Sequence, residues 1–307
     1  MSEIQNELQF IVENALNDKE NFIEKSEKRY RDIISSVCEK INADIDKEII
    51  MLAGPSGSGK TTTANKIKEN LEKTGHKAYT VSLDDFYKNN GEGPKNEDGS
   101  YDFESVDALD IDLIHKCLQE LLTESRSELP IFDFMTGRRK KEKNIIELSK
   151  GDVIIVEGLH ALNPRITDTL PEKNLFKIYI SVSSRIYDGE EIVLNKRNLR
   201  FIRRMVRDFQ FRNSPVEKTF YLWKAVMEGE DKFLFPFKDN ADMFINSIHF
   251  YEPCAFRQVA TELLSAVDKA SANYDESQKL ISALGRFPVI EKDDVPENSL
   301  LREFLGF

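Results

Sequence analysis

The feature that most constrains this 307-residue chain is GPSGSGKT, Gly54 to Thr61, read together with the apolar run IIMLA directly before it. The pattern is G-x-x-x-x-G-K-T. Gly54, Gly57 and Gly59 let the backbone fold tightly enough to turn successive N–H groups toward one point. The helical pattern that starts near Lys60 aims its positive N-terminal end at the same point. A nucleotide phosphate fits there, with Lys60 reaching the β- and γ-phosphates and the Thr61 hydroxyl ligating Mg²⁺. The motif needs a strand before it and a helix after it, and the sequence supplies both.

Four more apolar runs follow: AYTVSL (78–83), DVIIVEG (152–158), FKIYISV (176–182) and DMFINS (242–247). Helical stretches separate them, notably 107–123, 191–211 and 216–228. Short apolar strands alternating with helices predict an α/β fold, a P-loop NTPase-type parallel sheet with helices on both faces. Residues 1–46 read as helical throughout, with Phe22, Ile23, Tyr30, Ile33, Ile34, Val37 and Ile41 at helical spacing. That stripe would allow a helix to serve as a dimer contact. KNNGEGPKNEDGS (88–100) reads as a mobile loop, and 255–307 returns to helix before a Pro-containing tail.

Lys and Arg number 43 against 54 Asp and Glu, a formal net charge of −11, which disfavours sequence-independent nucleic-acid binding. No run of about 18 apolar residues offers a membrane span. The N-terminus MSEIQNELQF lacks the apolar stretch of a signal peptide. Cys38, Cys117 and Cys254 are scattered, without metal-ligand spacing. Reduced thiols and a cytoplasmic location are therefore expected.

Three stretches add chemistry. In VSLDDFYK, Asp84 and Asp85 compete for a place at a strand's carboxyl end, where ligands gather in open sheets. There a carboxylate can take a proton from an acceptor hydroxyl or hold the metal through water. In DVIIVEGLHAL, Glu157 ends an apolar strand and needs a partner, for which Mg²⁺ is the obvious candidate. His160, three residues on, reads as structural. In KRNLRFIRRMVRDFQFR, Arg200, Arg204 and Arg207 fall at i, i+4 and i+7, and Arg203 pairs with Arg207. Such clustering in an acidic chain calls for an anion, as in a lid helix folded over a triphosphate.

Together these stretches resemble the phosphoribulokinase/uridine kinase family of P-loop kinases. The matching segments are GPSGSGKTT, SLDDFY, YDFESVDALD, PIFDFMTGRRK, VIIVEGLHAL, RFIRRMVRD and FPFKDNADMFINS, covering roughly residues 45–250 in the family's order. Within it the likeness is greatest to bacterial uridine-kinase-like nucleoside kinases, without their N-terminal TGS module. The resemblance implies a helical extension over 1–46, a P-loop kinase domain over 47–254 with a lid at about 185–216, and a C-terminal helical segment and tail over 255–307. It places Gly54, Ser56, Gly57, Ser58, Gly59, Lys60, Thr61 and Thr62 on ATP, with the lid residues Arg204, Arg207 and Arg212. It makes Asp84 the general base, with Lys60, Arg204 and Arg207 also catalytic, and it sets Thr61, Asp84 and Glu157 around Mg²⁺. Tyr87, Glu104, Phe132 and Arg139 fall at the acceptor, Glu104 on a ribose diol.

Two departures bear on specificity. Phe132 and Gly137 stand where uridine kinases carry a base-contacting Tyr and His, and Ser214 replaces one lid arginine. The implied activity is ATP-dependent phosphorylation of a ribonucleoside 5′-hydroxyl, with base preference and the choice of ATP over GTP open. The alternatives are a kinase for another polyol (a sugar phosphate, pantothenate or glycerate) and a nucleotide-binding regulator with little turnover. Glu104 favours a neutral diol, because a carboxylate repels a phosphorylated sugar.

Overall fold

The computed structural model of the protein describes residues 5–44, 46, 48–95, 99 and 101–306. The five apolar runs form one sheet: β1 (Ile49–Ala53), β2 (Ala78–Ser82), β3 (Val153–Gly158), β4 (Leu175–Ser181) and β5 (Met243–Asn246). Its order is β5-β4-β1-β3-β2, and every pairing is parallel. The longer helices are α1 (Leu8–Asn17), α2 (Lys19–Asn42), α3 (Lys60–Lys73), α4 (Ile111–Glu124), α5 (Lys196–Arg212), α6 (Val216–Phe233), α7 (Glu252–Ser265) and α8 (Tyr274–Gly285).

Side chains alternate across a strand, so each buried strand serves two cores. β1 sends Ile49, Met51 and Ala53 to the face covered by α4, where they join Ile114, Cys117, Leu118 and Leu121. Ile50 and Leu52 enter the opposite core, which α2, α3, α5 and α7 share. The apolar stripe of α2 is buried there: Tyr30, Ile34, Val37 and Ile41 are at most 3% exposed. It is therefore covered within this chain and is not the free face a helix-mediated dimer would need. α2 also reaches the glycine loop. Tyr30 donates to Thr63 Oγ1 (2.6 Å), which in turn donates to the Gly59 carbonyl (2.6 Å).

The elements differ from the sequence reading mainly at helix starts. Residues 191–194 are not helical. They pair with Ile186–Asp188 as an antiparallel hairpin turned at Gly189 (φ +58°), and α5 begins only where Asn195 caps the Arg197 and Asn198 N–H groups. Likewise α4 starts at Ile111 because Asp110 accepts from Leu113 N–H (3.2 Å). Two small hairpins, 126–129 with 144–147 and 132–133 with 138–139, had no clear signal in the sequence. Of the expected mobile loop, residues 96–98 and 100 lie outside the described residues. All three cysteines are buried and free. Among the described residues, no helix is long and apolar enough to cross a membrane.

Candidate active site

The carboxyl end of β1 runs directly into the glycine loop. Gly57 and Gly59 take positive φ (+75° and +87°), which a side chain would oppose. A Cβ on Gly57 would lie 2.7 Å from the Arg200 carbonyl oxygen, a backbone atom that cannot swing aside. Gly57→Ala is therefore expected to cost roughly 1–3 kcal/mol of stability and to weaken nucleotide binding. Urea unfolding and nucleotide titration of that variant check this. Stability and affinity equal to the parent's would contradict the close approach.

Two buried arginines of α5 hold the loop from behind. Arg200 forms a two-bond pair with Glu230 (2.7 and 2.8 Å), neither side chain being more than 3% exposed. It also donates to the Ser56 carbonyl (3.1 Å), while Glu230 accepts from Ser56 N–H (2.9 Å). Arg203 pairs with Glu252 and donates to the Gly57 carbonyl (3.2 Å). A buried charge is costly unless it is paired, and each of these arginines has a buried carboxylate and a loop carbonyl as partners. The arginine stripe thus splits: Arg200 and Arg203 face the core, and Arg204, Arg207 and Arg212 are the ones left to meet a ligand.

Those three surround one acid. Asp208, itself buried, lies 3.3 Å from Arg204, 2.8 Å from Arg207 and 3.5 Å from Arg212. Three guanidiniums against a single carboxylate leave a positive surplus beside the loop. Arg204 also donates to Ser56 Oγ (2.8 Å). Lys60 Nζ lies 3.4 Å from the Pro55 carbonyl oxygen. Ser58 is buried, and Thr61 is exposed in the first turn of α3. Thr62 donates through both N–H and Oγ1 to Glu303 (3.2 and 2.5 Å).

Register brings the acids to the same edge. Glu157, on β3, pairs with Leu52 on β1 and Ser82 on β2, and it accepts from the Ser82 hydroxyl (2.8 Å). Burial and the nearby Asp84 push its pKa up to about 7 against the pull of Lys60. Asp84 follows β2 directly and is exposed to solvent there. Lost solvation raises its pKa, with Lys60, Arg212 and Arg207 opposing and Asp85 adding to the rise. Burial likewise lifts Glu104 to about 7; Arg204 opposes, while Glu230 and Asp84 add to it. Burial is the leading cause for all three acids, and Asp84 adds to the rise of both Glu104 and Glu157.

Among the described residues, no group of three or more His, Cys, Asp and Glu could hold a metal alone. Mg²⁺ takes one or two carboxylates and finds its other ligands in phosphates and water, and the groups that the sequence reading offers it, on Glu157, Asp84 and Thr61, are oxygens of that hard kind.

At the wall where the sequence reading puts the acceptor, Asp85 Oδ1 accepts from Phe132 N–H (3.0 Å), which engages Asp85 and leaves Asp84 exposed. Tyr87, Phe103, Phe132 and Phe134 form an aromatic cluster, with Tyr87 donating to the Phe103 carbonyl (3.0 Å). Arg139 donates to the Phe86 and Tyr87 carbonyls (each 3.0 Å) and to Asp110 (2.9 Å), so it braces this wall. Asn90 fills the space beside Gly137, where a Cβ would come within 1.9 Å of its amide nitrogen. His160 is buried against Phe233, and burial lowers its pKa to about 4. Sequence reasoning missed Glu230, Glu252 and Glu303, which lie far along the chain from their partners. Asp208 was within reach, as the acid four residues after Arg204.

A family model described as Phosphoribulokinase / Uridine kinase family matches residues 49–251. A uridine kinase of Lactobacillus johnsonii is 30% identical over 198 residues, covering 64% of this chain and 85% of its own. One of Staphylococcus haemolyticus is 32% identical over 198 residues, covering 64% and 86%. A solved structure described as a possible uridine kinase from Bacillus stearothermophilus aligns with a TM-score of 0.48 at 20% identity, covering 70% of this chain and 98% of that one.

Proposed function

The chain belongs to the phosphoribulokinase/uridine kinase family, and from that premise we propose that it transfers the γ-phosphoryl group of ATP to the 5′-hydroxyl of a ribonucleoside. The observation that carries this reading is the meeting of Asp84, Glu104 and Glu157 with Lys60 and the α5 arginines beside the glycine loop. A protein that only binds nucleotides has no need of a carboxylate poised on the acceptor side.

Lys60 and the loop N–H groups bind the outer phosphates of the donor. Thr61 and Glu157, with Asp84 through water, would hold Mg²⁺, which when bound neutralises charge on the β- and γ-oxygens. Asp84 orients the acceptor hydroxyl and takes its proton as the new oxygen–phosphorus bond forms and the bond from the γ-phosphorus to the bridging oxygen breaks, ADP leaving. Arg204, Arg207 and Arg212 meet the negative charge on the transferring group. Phosphoryl transfer asks mainly for positioning and charge stabilisation, and this set supplies both.

Glu104 accepts the two ribose hydroxyls, and the aromatic wall of Tyr87 and Phe132 takes the base. Phe132 and Gly137 give that base no polar handle, so turnover on more than one base is expected.

The pH dependence tests the Glu104 assignment. Glu104 meets both hydroxyls as a charged acceptor only when ionised, and burial pushes its carboxyl up to about 7. Ribonucleoside affinity of the protein should fall by about tenfold as pH drops from about 8 to about 6, a charged acceptor bond being lost. Glu104→Gln should flatten that profile, and 2′,3′-dideoxynucleosides should lack it. A ribonucleoside affinity independent of pH, measured by calorimetry, would remove Glu104 from the diol.

A further inference from the structure

The C-terminal segment lies beyond the family-matched residues 49–251, yet it closes on the phosphate cradle. Leu300 packs over Gly59, where a Cβ would meet its Cδ1 at 2.6 Å. Leu300, Leu301, Phe304 and Leu305 are at most 2% exposed, which seats the short helical turn Arg302–Leu305 against the core. Arg302 braces the turn by donating to the Gly306 and Val295 carbonyls, and the Asn298 carbonyl accepts from Lys66 on α3. A turn held in this way fixes the direction of the one acid it carries, Glu303.

What Glu303 touches is the helix of the glycine loop itself. Its Oε2 accepts from both the N–H and the hydroxyl of Thr62 (3.2 and 2.5 Å). The first N–H groups of a helix have no partner within it and hold an anion readily, a phosphate above all. In α3 they follow directly on the loop in which Gly57 and Gly59 take positive φ. A carboxylate oxygen bonded there to an N–H and a hydroxyl at once stands in for a phosphate oxygen.

The contact is also one that can open. Glu303 is half-buried, and among the described residues its side chain bonds to Thr62 alone. Arg207 and Arg212 line the same cleft but turn to Asp208 instead. The charge of Glu303 is felt at the acids of the site: burial leads the rise of the Glu157 carboxyl, and Glu303 adds to it. Donor phosphates arriving at the loop would meet a carboxylate already in place.

We propose that Glu303 makes an autoinhibitory contact: its carboxylate occupies a phosphate position on Thr62, and nucleotide binds only when that carboxylate withdraws. The inference rests on the kinase reading above and adds to it a brake supplied by the C-terminal segment. A site open for a fraction of the time binds its ligand with an apparent affinity reduced by that fraction.

Calorimetry of the full chain with ADP and Mg²⁺ tests it. Glu303→Gln keeps the length of the side chain and removes the competing charge, so it should bind ADP about tenfold more tightly than the parent, the worth of one charge-assisted hydrogen bond. Glu303→Ala removes the acceptor as well and should bind ADP at least as tightly as Glu303→Gln. Glu297→Gln is the control. Glu297 lines the same cleft but is exposed and bonds to no other described residue. Its loss should leave ADP affinity within about twofold, because solvent screens its charge. Thermal unfolding shows whether each variant is folded, and the rise in Tm on adding ADP should be larger in both Glu303 variants than in the parent. ADP affinity in both Glu303 variants equal to or below the parent's would make Glu303 an anchor only and overturn the proposal. Equal tightening in Glu297→Gln would overturn it too, by tracing the effect to net charge. Failure of the parent and all three variants to bind ADP would overturn the kinase reading and this inference with it.

Discussion

Asp84→Asn is expected to lower kcat by about 10²–10⁴-fold while nucleotide affinity stays within a few-fold, the range for loss of a general base. The substitution keeps the side chain's size and its power to accept a hydrogen bond. It removes the charge and the site for the proton. Asp84 is exposed and lies near Lys60, Arg207 and Arg212, whereas its neighbour Asp85 is engaged by Phe132 N–H. Asp85→Asn should therefore cost far less turnover, and any loss should come with weaker acceptor binding as the wall loosens. Steady-state rates for both variants, beside ADP titrations, make the comparison. Equal kcat losses in the two variants would deny Asp84 its special role.

Arg207→Ala is expected to reduce kcat by about 10³-fold or more, as removal of a charge-stabilising arginine does in related phosphoryl transfers. ADP affinity should change by less than about tenfold, because ADP lacks the group on which charge develops. The expectation rests on the imbalance around Asp208, where three guanidiniums share one carboxylate. Arg200 and Arg203 differ in kind: each has a buried carboxylate of its own and grips a loop carbonyl. Replacing either should show first as lost stability, because it strands a buried acid. Near-parental turnover in Arg207→Ala would withdraw this residue from the transferring group.

Much of this architecture was legible in the chain. Strands buried on both faces read as unbroken apolar runs, and IIMLA proved to be β1 residue for residue. The glycine loop was legible because its chemistry belongs to the backbone, and backbone geometry demands glycine at fixed positions. Less could be read where pairing is tertiary. The periodicity that grouped Arg200, Arg204 and Arg207 on one face could not say which would turn inward, since Glu230 and Glu252 lie 30 and 49 residues from their partners. Arg139 illustrates the same limit: matched to an acceptor contact in sequence, it braces the wall through two carbonyls and Asp110. EIVL falls within the stretch 191–211 that reads as helical, but Gly189 and the Asn195 cap decide for a hairpin.

The central claim is acceptor-dependent phosphoryl transfer, and ADP release in a coupled assay with Mg²⁺–ATP tests it most directly. The acceptors would be a panel of ribonucleosides and non-nucleoside polyols, each product's phosphorylation site being identified, with Asp84→Asn as control. The account predicts turnover on one or more ribonucleosides, a 5′-phosphate product, and loss of that turnover in the control. ATP binding without turnover on any acceptor, or turnover confined to non-nucleoside polyols, would contradict it.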